Sequence, residues 1–320
     1  MSIIFIFQIL FFVFFCFLLI KSASLLIKSV SKIAVAFHLT EFTLSFLLVA
    51  FATSLPELFV GISSAINQKP LFSLGNVLGS NIAVVTLIIG LAALFSRGIK
   101  IKSLIIQENL LYFIFIPFFS LLMFLDGRLT RLEGGILLVL FFFYCLELYS
   151  RGRSFRKILE EDKKKNKKRI LREFIYFIVE VALLLISAHF IVLLGVRIAK
   201  QINIPLLLFS LFFVALGTSL PELIFQLKAA RSGHEEMTLG DVSGSIVINS
   251  SLVLGVTALI KPIILTDTSH FTFSAIFMMV SLLLFTVFTR TKKELSSWEG
   301  LFLIFFYLVF VFIEFLKGKI

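Results

Sequence analysis

The sequence has few of the residues on which soluble enzymes and secreted proteins depend. It contains two cysteines, Cys16 and Cys145, and both lie inside apolar runs, so no disulfide framework is expected. Its four histidines form no cluster with cysteine or with each other, which argues against a site for soft metals. No nucleophile–base pair or metal motif is present in the sequence. An enzyme is therefore not expected, and no cofactor is predicted.

Apolar residues are abundant instead. They make up 59% of the 320 residues, including 41 phenylalanines, whereas soluble domains average roughly 45–50%. Continuous runs of ~20 apolar residues predict membrane helices, whereas a membrane β-barrel would show short alternating segments. The run at 2–20 has no basic segment before it and is long enough to span, so it is read as a helix and not as a signal peptide. The prediction is an all-α polytopic membrane protein whose ten spans lie near 2–20 (continuing toward 35), 41–65, 72–95, 103–125, 132–149, 173–198, 205–229, 239–260, 270–289 and 297–316.

Positive charge is concentrated in one segment. The net charge is +11, and eleven lysines and arginines fall between Arg151 and Arg172. Basic loops next to membrane helices are typical of the cytoplasmic face, so the charge indicates lipid headgroups and not nucleic acid. With the 150–172 loop inside, the inner side holds 22 basic residues against 8 outside. This predicts a multi-pass protein of the plasma (inner) membrane with both termini outside. Nothing in the sequence indicates an oligomeric state.

The chain repeats itself at a constant distance of 165 residues. "VAFATSLPELFVGISSA" begins at Val49, and "VALGTSLPELIFQLKAA" begins at Val214. Further along, "SLGNVLGSN" from Ser73 matches "TLGDVSGSI" from Thr238 without a gap. Each half has five predicted spans, an odd number, so the second half would enter the membrane from the opposite side. We therefore predict two inverted-topology repeats, 1–149 and 173–320, joined by the basic cytoplasmic loop 150–172.

The two TSLPE segments place a helix-breaking proline beside hydroxyl and carboxyl groups. Pro56 and Pro221 free backbone carbonyls, which are costly in hydrocarbon unless something binds them. Glu57 and Glu222 are ionisable residues at mid-membrane, and such residues usually face the protein interior or a water path. Carboxylate, carbonyl and hydroxyl oxygens suit calcium, sodium or magnesium. For a single motif, ordinary packing would be a reasonable explanation, but two copies in matching positions favour a shared cation site.

The second segment of each repeat supplies glycines for close helix approach and one serine hydroxyl. We expect Ser80 and Ser245 to contact the site. Asp241 has two interpretations, as the lining of an access path or as an outer-shell or helix-start residue. Glu180 and His189, inside the sixth span, have no polar counterparts 165 residues earlier, so a structural or interfacial role is favoured for both.

These motifs resemble the α-repeats of the calcium/cation antiporter superfamily, particularly its sodium/calcium exchanger branch. "ATSLPE…LGNVLGSN" and "GTSLPE…LGDVSGS" carry the resemblance over roughly a third of the chain. It implies an alternating-access antiporter that exchanges Na⁺ for Ca²⁺, with the first and sixth helices sliding as gates. It also implies a set of cation ligands. Carboxylates would come from Glu57 and Glu222, backbone carbonyls from Thr53, Thr218, Ala50 and Ala215, and the remaining sodium ligands from Ser54, Ser219, Ser80, Ser245 and Asn249.

Two positions depart from that pattern and keep other functions open. The family commonly has Asn or Asp four residues after each G-S serine, where this sequence has Val84 and Asn249. Ile246 also replaces the asparagine of "GSN" in the second repeat. A proton- or potassium-coupled calcium or cation antiporter is therefore an alternative. A non-transporting membrane ion sensor is another, although two retained buried glutamates argue against it.

Overall fold

The computed structural model describes residues 3–36, 50–100, 104–152, 167–266, 268–291 and 293–317. The segment 41–49 of the second predicted span, the centre of the basic loop and Asp267 lie outside the described residues.

The first half of the described chain is built from helices and two very short strands. Helix α1 is Ile3–Ala36, and the first TSLPE segment contributes α2 (Ala50–Thr53) and α3 (Leu55–Ile66). The glycine-containing segment forms α4 (Pro70–Ala83), a π-helical turn at Val84–Ile88 and α5 (Ile89–Ser96). The remaining elements are β1 (Ile99–Lys100), α6 (Leu104–Leu122), β2 (Arg128–Leu129) and α7 (Arg131–Gly152).

From the TSLPE segment onward, the second half follows the same order of elements. Helix α8 is Lys167–Gln201, and the run α9 (Leu206–Phe209), a π-helical turn at Ser210–Val214, α10 (Ala215–Thr218) and α11 (Leu220–Arg231) contains the second TSLPE segment. Then come α12 (Glu235–Ile248), a π-helical turn at Asn249–Val253 and α13 (Leu254–Ile260). The chain ends with β3 (Ile263–Ile264), α14 (Thr268–Thr291), β4 (Glu294–Leu295) and α15 (Ser297–Lys317).

Several boundaries recur at the spacing seen in the sequence. Helices α4 and α12 begin and end 165 residues apart, and so do the π-helical turns that follow them. The strand pairs connect the two halves, because β1 pairs antiparallel with β4 and β2 pairs antiparallel with β3. Each two-stranded ladder therefore ties a loop of one half to a loop of the other.

Each predicted span overlaps a described helix, but residues 123–125 of the fourth predicted span form a turn after α6. Among the described residues, six helical segments are long and apolar enough to cross a membrane, or seven if the bent pair α10–α11 is part of one span. The protein is thus a mostly helical, multi-pass membrane protein. Helix α7 continues to Gly152 and α8 begins at Lys167, so helices enter the predicted 150–172 loop from both ends. Within that loop, residues 153–166 lie outside the described residues.

The apolar interior has two principal parts. The larger cluster draws on α4, α5, α12 and α13 and the helices around them, with Leu78, Ile89 and Phe310 fully buried. A second cluster holds α1 and α8 together, for example through Leu19 and Leu184, against the TSLPE segments and Phe72. Outside these contacts α1 presents exposed side chains such as Phe7, as expected of a helix that faces lipid.

Candidate cation site

Each TSLPE segment is a broken helix. Helix α2 ends at Thr53 and α10 at Thr218, a serine follows each, and the next helix carries its proline in the first turn. Proline is tolerated there because the first helical N–H groups have no intrahelical partner. Helices α10 and α11 are bent by 43° at this break. The predicted disruption at the prolines is therefore present in both segments, and in the second it turns the chain beside Glu222.

Glycines bring the second segment of the first repeat against the TSLPE run of the other half. A Cβ placed on Gly79 would lie 2.0 Å from the Leu211 carbonyl oxygen, and one on Gly75 would lie 2.3 Å from that of Leu207. Only glycine allows this approach. As a consequence, α4 lies directly on α9, the π-helical turn at 210–214 and α10, and its polar side chains reach Thr218 and Ser219.

Glu57 is fully buried and bridges α3, α4 and α10–α11. Ser80 Oγ donates a hydrogen bond to Glu57 Oε1 over 3.1 Å. Ser219 Oγ lies 3.5 Å from the same oxygen and 2.9 Å from Ser80 Oγ. The other oxygen, Oε2, is buried and has no hydrogen-bond partner among the described residues. Glu57 thus keeps one acceptor oxygen available in a site that hydroxyl groups otherwise line.

Glu222 is also buried, but its surroundings differ. Neither of its carboxylate oxygens has a hydrogen-bond partner in the part of the chain that the structure describes. It lies within electrostatic range of both Glu57 and Asp241. A buried carboxylate beside two others is strongly unfavourable unless positive charge compensates it. Ser54, the serine of the first motif, likewise has a buried hydroxyl without a partner among the described residues.

The two threonines connect the halves of the molecule. Thr53 Oγ1 lies 3.0 Å from Asp241 Oδ1 and 3.1 Å from the Ala50 carbonyl oxygen, and it is 3.5 Å from Ser245 Oγ. The hydroxyl has a single proton, so the carboxylate and the carbonyl compete for it. The expected contact of Ser245 with this region is therefore made through Thr53.

Thr218 repeats this arrangement in the other half. Its Oγ1 lies 3.1 Å from Asn76 Oδ1 and 3.2 Å from the Ala215 carbonyl oxygen, and it is 3.4 Å from Ser80 Oγ. The backbone N–H of Ser219 also donates to the Ala215 carbonyl oxygen. Both alanine carbonyls expected from the resemblance are thus already hydrogen-bonded to the threonine of their own motif.

Asn249 lies beside the site at the start of a π-helical turn. Its Nδ2 donates to Asn81 Oδ1 over 3.2 Å, and Asn81 Nδ2 in turn donates to Ser250 Oγ over 2.9 Å. The Oδ1 atom of Asn249 is buried and has no partner among the described residues. Val84, at the equivalent position of the first half, is buried and offers only an apolar side chain. The departure seen in the sequence therefore makes this side of the site asymmetric.

Two further side chains belong to this candidate site. The sequence analysis left the role of one open and missed the other. Asp241 is fully buried and is six residues beyond the start of α12 at Glu235, so the helix-start interpretation is wrong. Gln226 was missed: it is fully buried, and its Nε2 donates to Asp241 Oδ2 over 2.9 Å. Its position four residues after Glu222, one helical turn along α11, is a signal that could have found it.

Other ionisable groups lie elsewhere. His189 Nδ1 is 3.4 Å from Asn67 Nδ2 at the end of α3, and its side chain is exposed, consistent with an interfacial role.

The described residues contain no group of three or more His, Cys, Asp or Glu side chains placed to hold a metal ion. The oxygens around Glu57 and Glu222 are instead a mixture of carboxylate, hydroxyl and amide groups. Such mixed oxygen sets suit hard cations that lose and regain ligands readily.

The profile of the sodium/calcium exchanger protein family matches residues 7–149 and 172–316. The sodium/calcium exchanger MaX1 of Methanosarcina acetivorans is 29% identical over 339 residues, covering 93% of this chain and 95% of its own. An uncharacterized membrane protein of Methanocaldococcus jannaschii is 29% identical over 278 residues, covering 87% and 88%.

Solved structures give the same result. The sodium-calcium exchanger NCX_Mj soaked with 10 mM Na⁺ and zero Ca²⁺ matches with a TM-score of 0.67 at 26% identity, covering 96% of this chain and 98% of its own. The form soaked with 2.5 mM Na⁺ and 10 mM Sr²⁺ matches with a TM-score of 0.68 at 25% identity.

The family profile, the curated relatives and the structural matches place this helical fold among membrane transporters of cations, not enzymes. The family profile covers most of the chain, in both halves. The chain belongs to the sodium/calcium exchanger protein family.

Proposed function

We propose that the protein exchanges Na⁺ for Ca²⁺ across the membrane by alternating access at a site formed by the two TSLPE motifs. One observation carries the proposal. Glu57 and Glu222 are buried together, and three of their four carboxylate oxygens lack a hydrogen-bond partner within the described residues. Two such charges are costly in a membrane interior unless cations neutralise them. One Ca²⁺, or two Na⁺ in its place, supplies that charge.

For the remaining ligands we propose the set that the resemblance to the exchanger α-repeats implies. We assign the calcium position to the carboxylates of Glu57 and Glu222 with the backbone carbonyls of Thr53 and Thr218. Sodium positions use the same carboxylates with neutral oxygens of Ser54, Ser219, Ala50, Ala215, Ser80, Ser245 and Asn249.

The threonine hydroxyls allow the Ala50 and Ala215 carbonyl oxygens to exchange a hydrogen bond for a cation. When a cation approaches the Ala50 carbonyl oxygen, the Thr53 proton can stay with Asp241, 3.0 Å away. Thr218 has the same option, because Asn76 Oδ1 lies 3.1 Å from its hydroxyl. Each alanine carbonyl is then released to the ion without leaving a hydroxyl proton unsatisfied. The hydrogen-bonded carbonyls of the present structure are therefore compatible with a role in binding.

We propose further that ten spans form two inverted repeats, 1–149 and 173–320. The equal spacing of the element boundaries supports this, as does the reciprocal pairing of β1 with β4 and of β2 with β3. A two-fold axis in the membrane plane would exchange these two ladders. With five spans in each half, the basic segment 150–172 lies in the cytoplasm of a plasma (inner) membrane protein, and both termini lie outside.

We assign the gating motion to α1 and α8. They are the two longest described helices, at 34 and 35 residues, and they share an apolar cluster that is separate from the main core. That cluster includes Ala52 and Leu55 of the first TSLPE segment and Val214 at the second. A slide of the α1–α8 pair across this cluster would uncover one end of the site and cover the other. The contact with Phe72 of α4 would change, while the larger cluster of α4, α5, α12 and α13 would stay packed.

The direct test is ⁴⁵Ca²⁺ uptake into proteoliposomes loaded with Na⁺, compared with K⁺-loaded vesicles and vesicles given a pH jump. Uptake that requires internal Na⁺ is the expected result. Glu57→Gln should abolish it, whereas Glu180→Gln should retain substantial activity, because Glu180 lies on α8 outside the TSLPE segments. Uptake without Na⁺ that follows a K⁺ or proton gradient would overturn sodium coupling.

Proton- or potassium-coupled antiport is the second candidate, and a specific observation favours it. Val84 offers no oxygen, and Asn249 is neutral and hydrogen-bonded to Asn81. A site with fewer ligands on this side has less to distinguish Na⁺ from other monovalent cations. In that case the flux assay would show K⁺- or pH-driven calcium uptake, and Val84→Asn would be the substitution expected to increase sodium dependence.

A further inference from the structure

The two halves of the site differ in charge at one pair of equivalent positions. Asp241 comes 165 residues after Asn76, on the equivalent helix. Each accepts a hydrogen bond through Oδ1 from the threonine of the opposite half: Thr53 to Asp241 at 3.0 Å and Thr218 to Asn76 at 3.1 Å. The hydrogen-bond geometry is therefore the same in both halves, but the acceptor is the amide of Asn76 in one and the carboxylate of Asp241 in the other.

A second difference accompanies the first. Gln226 occupies the position equivalent to Gly61, and it donates through Nε2 to Asp241 Oδ2 at 2.9 Å. In the first half a side chain at this position would require its neighbours to move, because a Cβ on Gly61 would lie 2.8 Å from Thr257 Oγ1 and 3.1 Å from Ser73 Oγ. Only the second half thus has a carboxylate together with an amide that holds it.

The side-chain amide of Gln226 also has an acceptor oxygen, Oε1, that is not hydrogen-bonded within the described residues. Because Nε2 is held by the carboxylate of Asp241, Oε1 is directed away from it, and the reverse orientation would set two acceptor oxygens against each other. Oε1 is buried and has no hydrogen-bond partner among the described residues, and the same is true of both carboxylate oxygens of Glu222. Glu222 is one helical turn earlier on α11. Acceptor oxygens without donors mark a place for a cation.

Charge balance gives the valence of that cation. Glu57, Glu222 and Asp241 are each at most 1% exposed. Among the described residues that are buried, none is a lysine or arginine, and the buried histidine, His270, pairs with Glu314 elsewhere. A calcium ion offsets two of the three carboxylates. One negative charge remains, and a desolvated charge of this kind is retained only when it is compensated.

We propose that Gln226 Oε1 and the Glu222 carboxylate form a subsite for one Na⁺ that exists only in the second half and adds one monovalent cation to each transport cycle, while Asp241 supplies the third negative charge and orients the amide. The inference rests on the proposed cation site at Glu57 and Glu222, which it extends. The donors are carboxylate and amide oxygens, which suit a hard monovalent cation. The hydrogen bond from Gln226 Nε2 to Asp241 fixes the orientation of the amide, so Oε1 is in place before the ion binds.

The test measures sodium binding and sodium coupling separately in full-length protein. Equilibrium ²²Na⁺ binding to purified protein in calcium-free buffer gives the number of ions bound per chain. Proteoliposomes give the exponent with which the steady-state calcium gradient follows the sodium gradient. Asp241→Asn recreates the chemistry of Asn76 with nearly unchanged shape, and Asp126→Asn removes an exposed loop carboxylate as the matched control.

Asp241→Asn is expected to bind one Na⁺ fewer than the unmodified protein and to lower the exponent by one. Asp126→Asn should change neither. Gln226→Met keeps the carboxylate but removes the amide, so it should bind the same number of ions about tenfold more weakly, the size of effect expected for one hydrogen bond to a charged group. This variant keeps the proposal testable if Asp241→Asn fails to fold.

Unchanged sodium stoichiometry in a folded Asp241→Asn protein would overturn the subsite. If Asp241→Asn also binds one proton fewer than the unmodified protein, the third charge is neutralised by a proton and not by Na⁺. Absence of calcium flux in the unmodified protein, with normal ²²Na⁺ binding that still falls by one in Asp241→Asn, would refute the proposed antiport and leave the subsite supported.

Discussion

Ser80 Oγ donates a hydrogen bond to Glu57 Oε1 over 3.1 Å, and so links the two polar segments of the first half. The equivalent serine of the second half, Ser245, makes the matching approach to a threonine, with Oγ 3.5 Å from Thr53 Oγ1, but donates no hydrogen bond to Glu222. Glu57 is therefore partly satisfied by hydroxyl groups, whereas Glu222 has no hydrogen-bond partner among the described residues. Two residues that match in sequence thus have different environments, and the second depends more heavily on a bound cation.

Replacing either glutamate with glutamine should remove calcium transport from a folded protein. We expect initial ⁴⁵Ca²⁺ uptake to fall about hundredfold or more, equivalent to about 2.7 kcal/mol, because a charged ligand becomes a neutral one. Glu222→Gln should also raise the thermal stability of the ion-free protein more than Glu57→Gln does, since it removes the carboxylate without partners. Glu180→Gln is the control, and near-normal uptake by both site variants would refute the central site.

Removing calcium and sodium should destabilise the protein. A ligand that binds only the folded state stabilises it by about 2.7 kcal/mol when present at 100 times its dissociation constant. The melting temperature of the detergent-solubilised protein, measured by light scattering or with a thiol-reactive dye, should therefore rise when calcium is added to chelator-treated samples. Glu57→Gln should show no such shift. An equal calcium shift in that variant would place the bound ion elsewhere.

Asn249→Ala should affect sodium more than calcium. The substitution removes a buried amide whose Nδ2 donates to Asn81 and whose Oδ1 is available for an ion. We expect the sodium concentration for half-maximal exchange to rise about tenfold, the consequence of losing one ligand worth about 1.4 kcal/mol. Asn203→Ala, in the turn after α8, serves as the control. A larger change for calcium than for sodium would contradict the assignment of Asn249.

Gly79→Ala tests the close approach that forms the site. The added methyl group would lie 2.0 Å from the Leu211 carbonyl oxygen and 2.6 Å from Ala215 Cβ. Overpacking of this kind costs about 1–3 kcal/mol, and here it would separate Ser80 from Ser219. Reduced melting temperature together with lost transport is the expected result. Gly135→Ala is a matched control on α7, because a Cβ there meets no described atom within 4 Å.

His270 and Glu314 form a buried pair that should matter for stability and not for ion coupling. His270 Nδ1 lies 2.6 Å from Glu314 Oε2, and Ser274 Oγ donates to Oε1 over 2.9 Å. His270→Phe leaves a buried acceptor without this partner, at a cost of about 1–3 kcal/mol. The melting temperature should fall, while half-saturating calcium and sodium concentrations stay unchanged in proteoliposomes. A changed sodium dependence would show that the pair takes part in transport.

Much of the fold could be predicted from local sequence. Continuous apolar runs gave helices whose described bounds fall within a few residues of the predicted spans, for example Ser297–Lys317 against 297–316. The π-helical turns at Val84–Ile88 and Asn249–Val253 were not predicted, because their apolar residues have the same pattern as an ordinary helix. The four short strands were missed for a similar reason. Two residues carry no periodicity, and their partners are in the opposite half.

The sequence by itself determined the membrane helices, the repeated TSLPE breaks and the pair of glutamates, since hydropathy and proline act within a few residues along the chain. Only the tertiary structure decided which polar groups meet. Thr53 reaches Asp241 and Thr218 reaches Asn76 across separations of 188 and 142 residues. Such contacts depend on how closely helices pack, and glycines such as Gly79 set that distance. The same packing placed Gln226 against Asp241, so the extra carboxylate of the second half is held by an amide that the first half lacks.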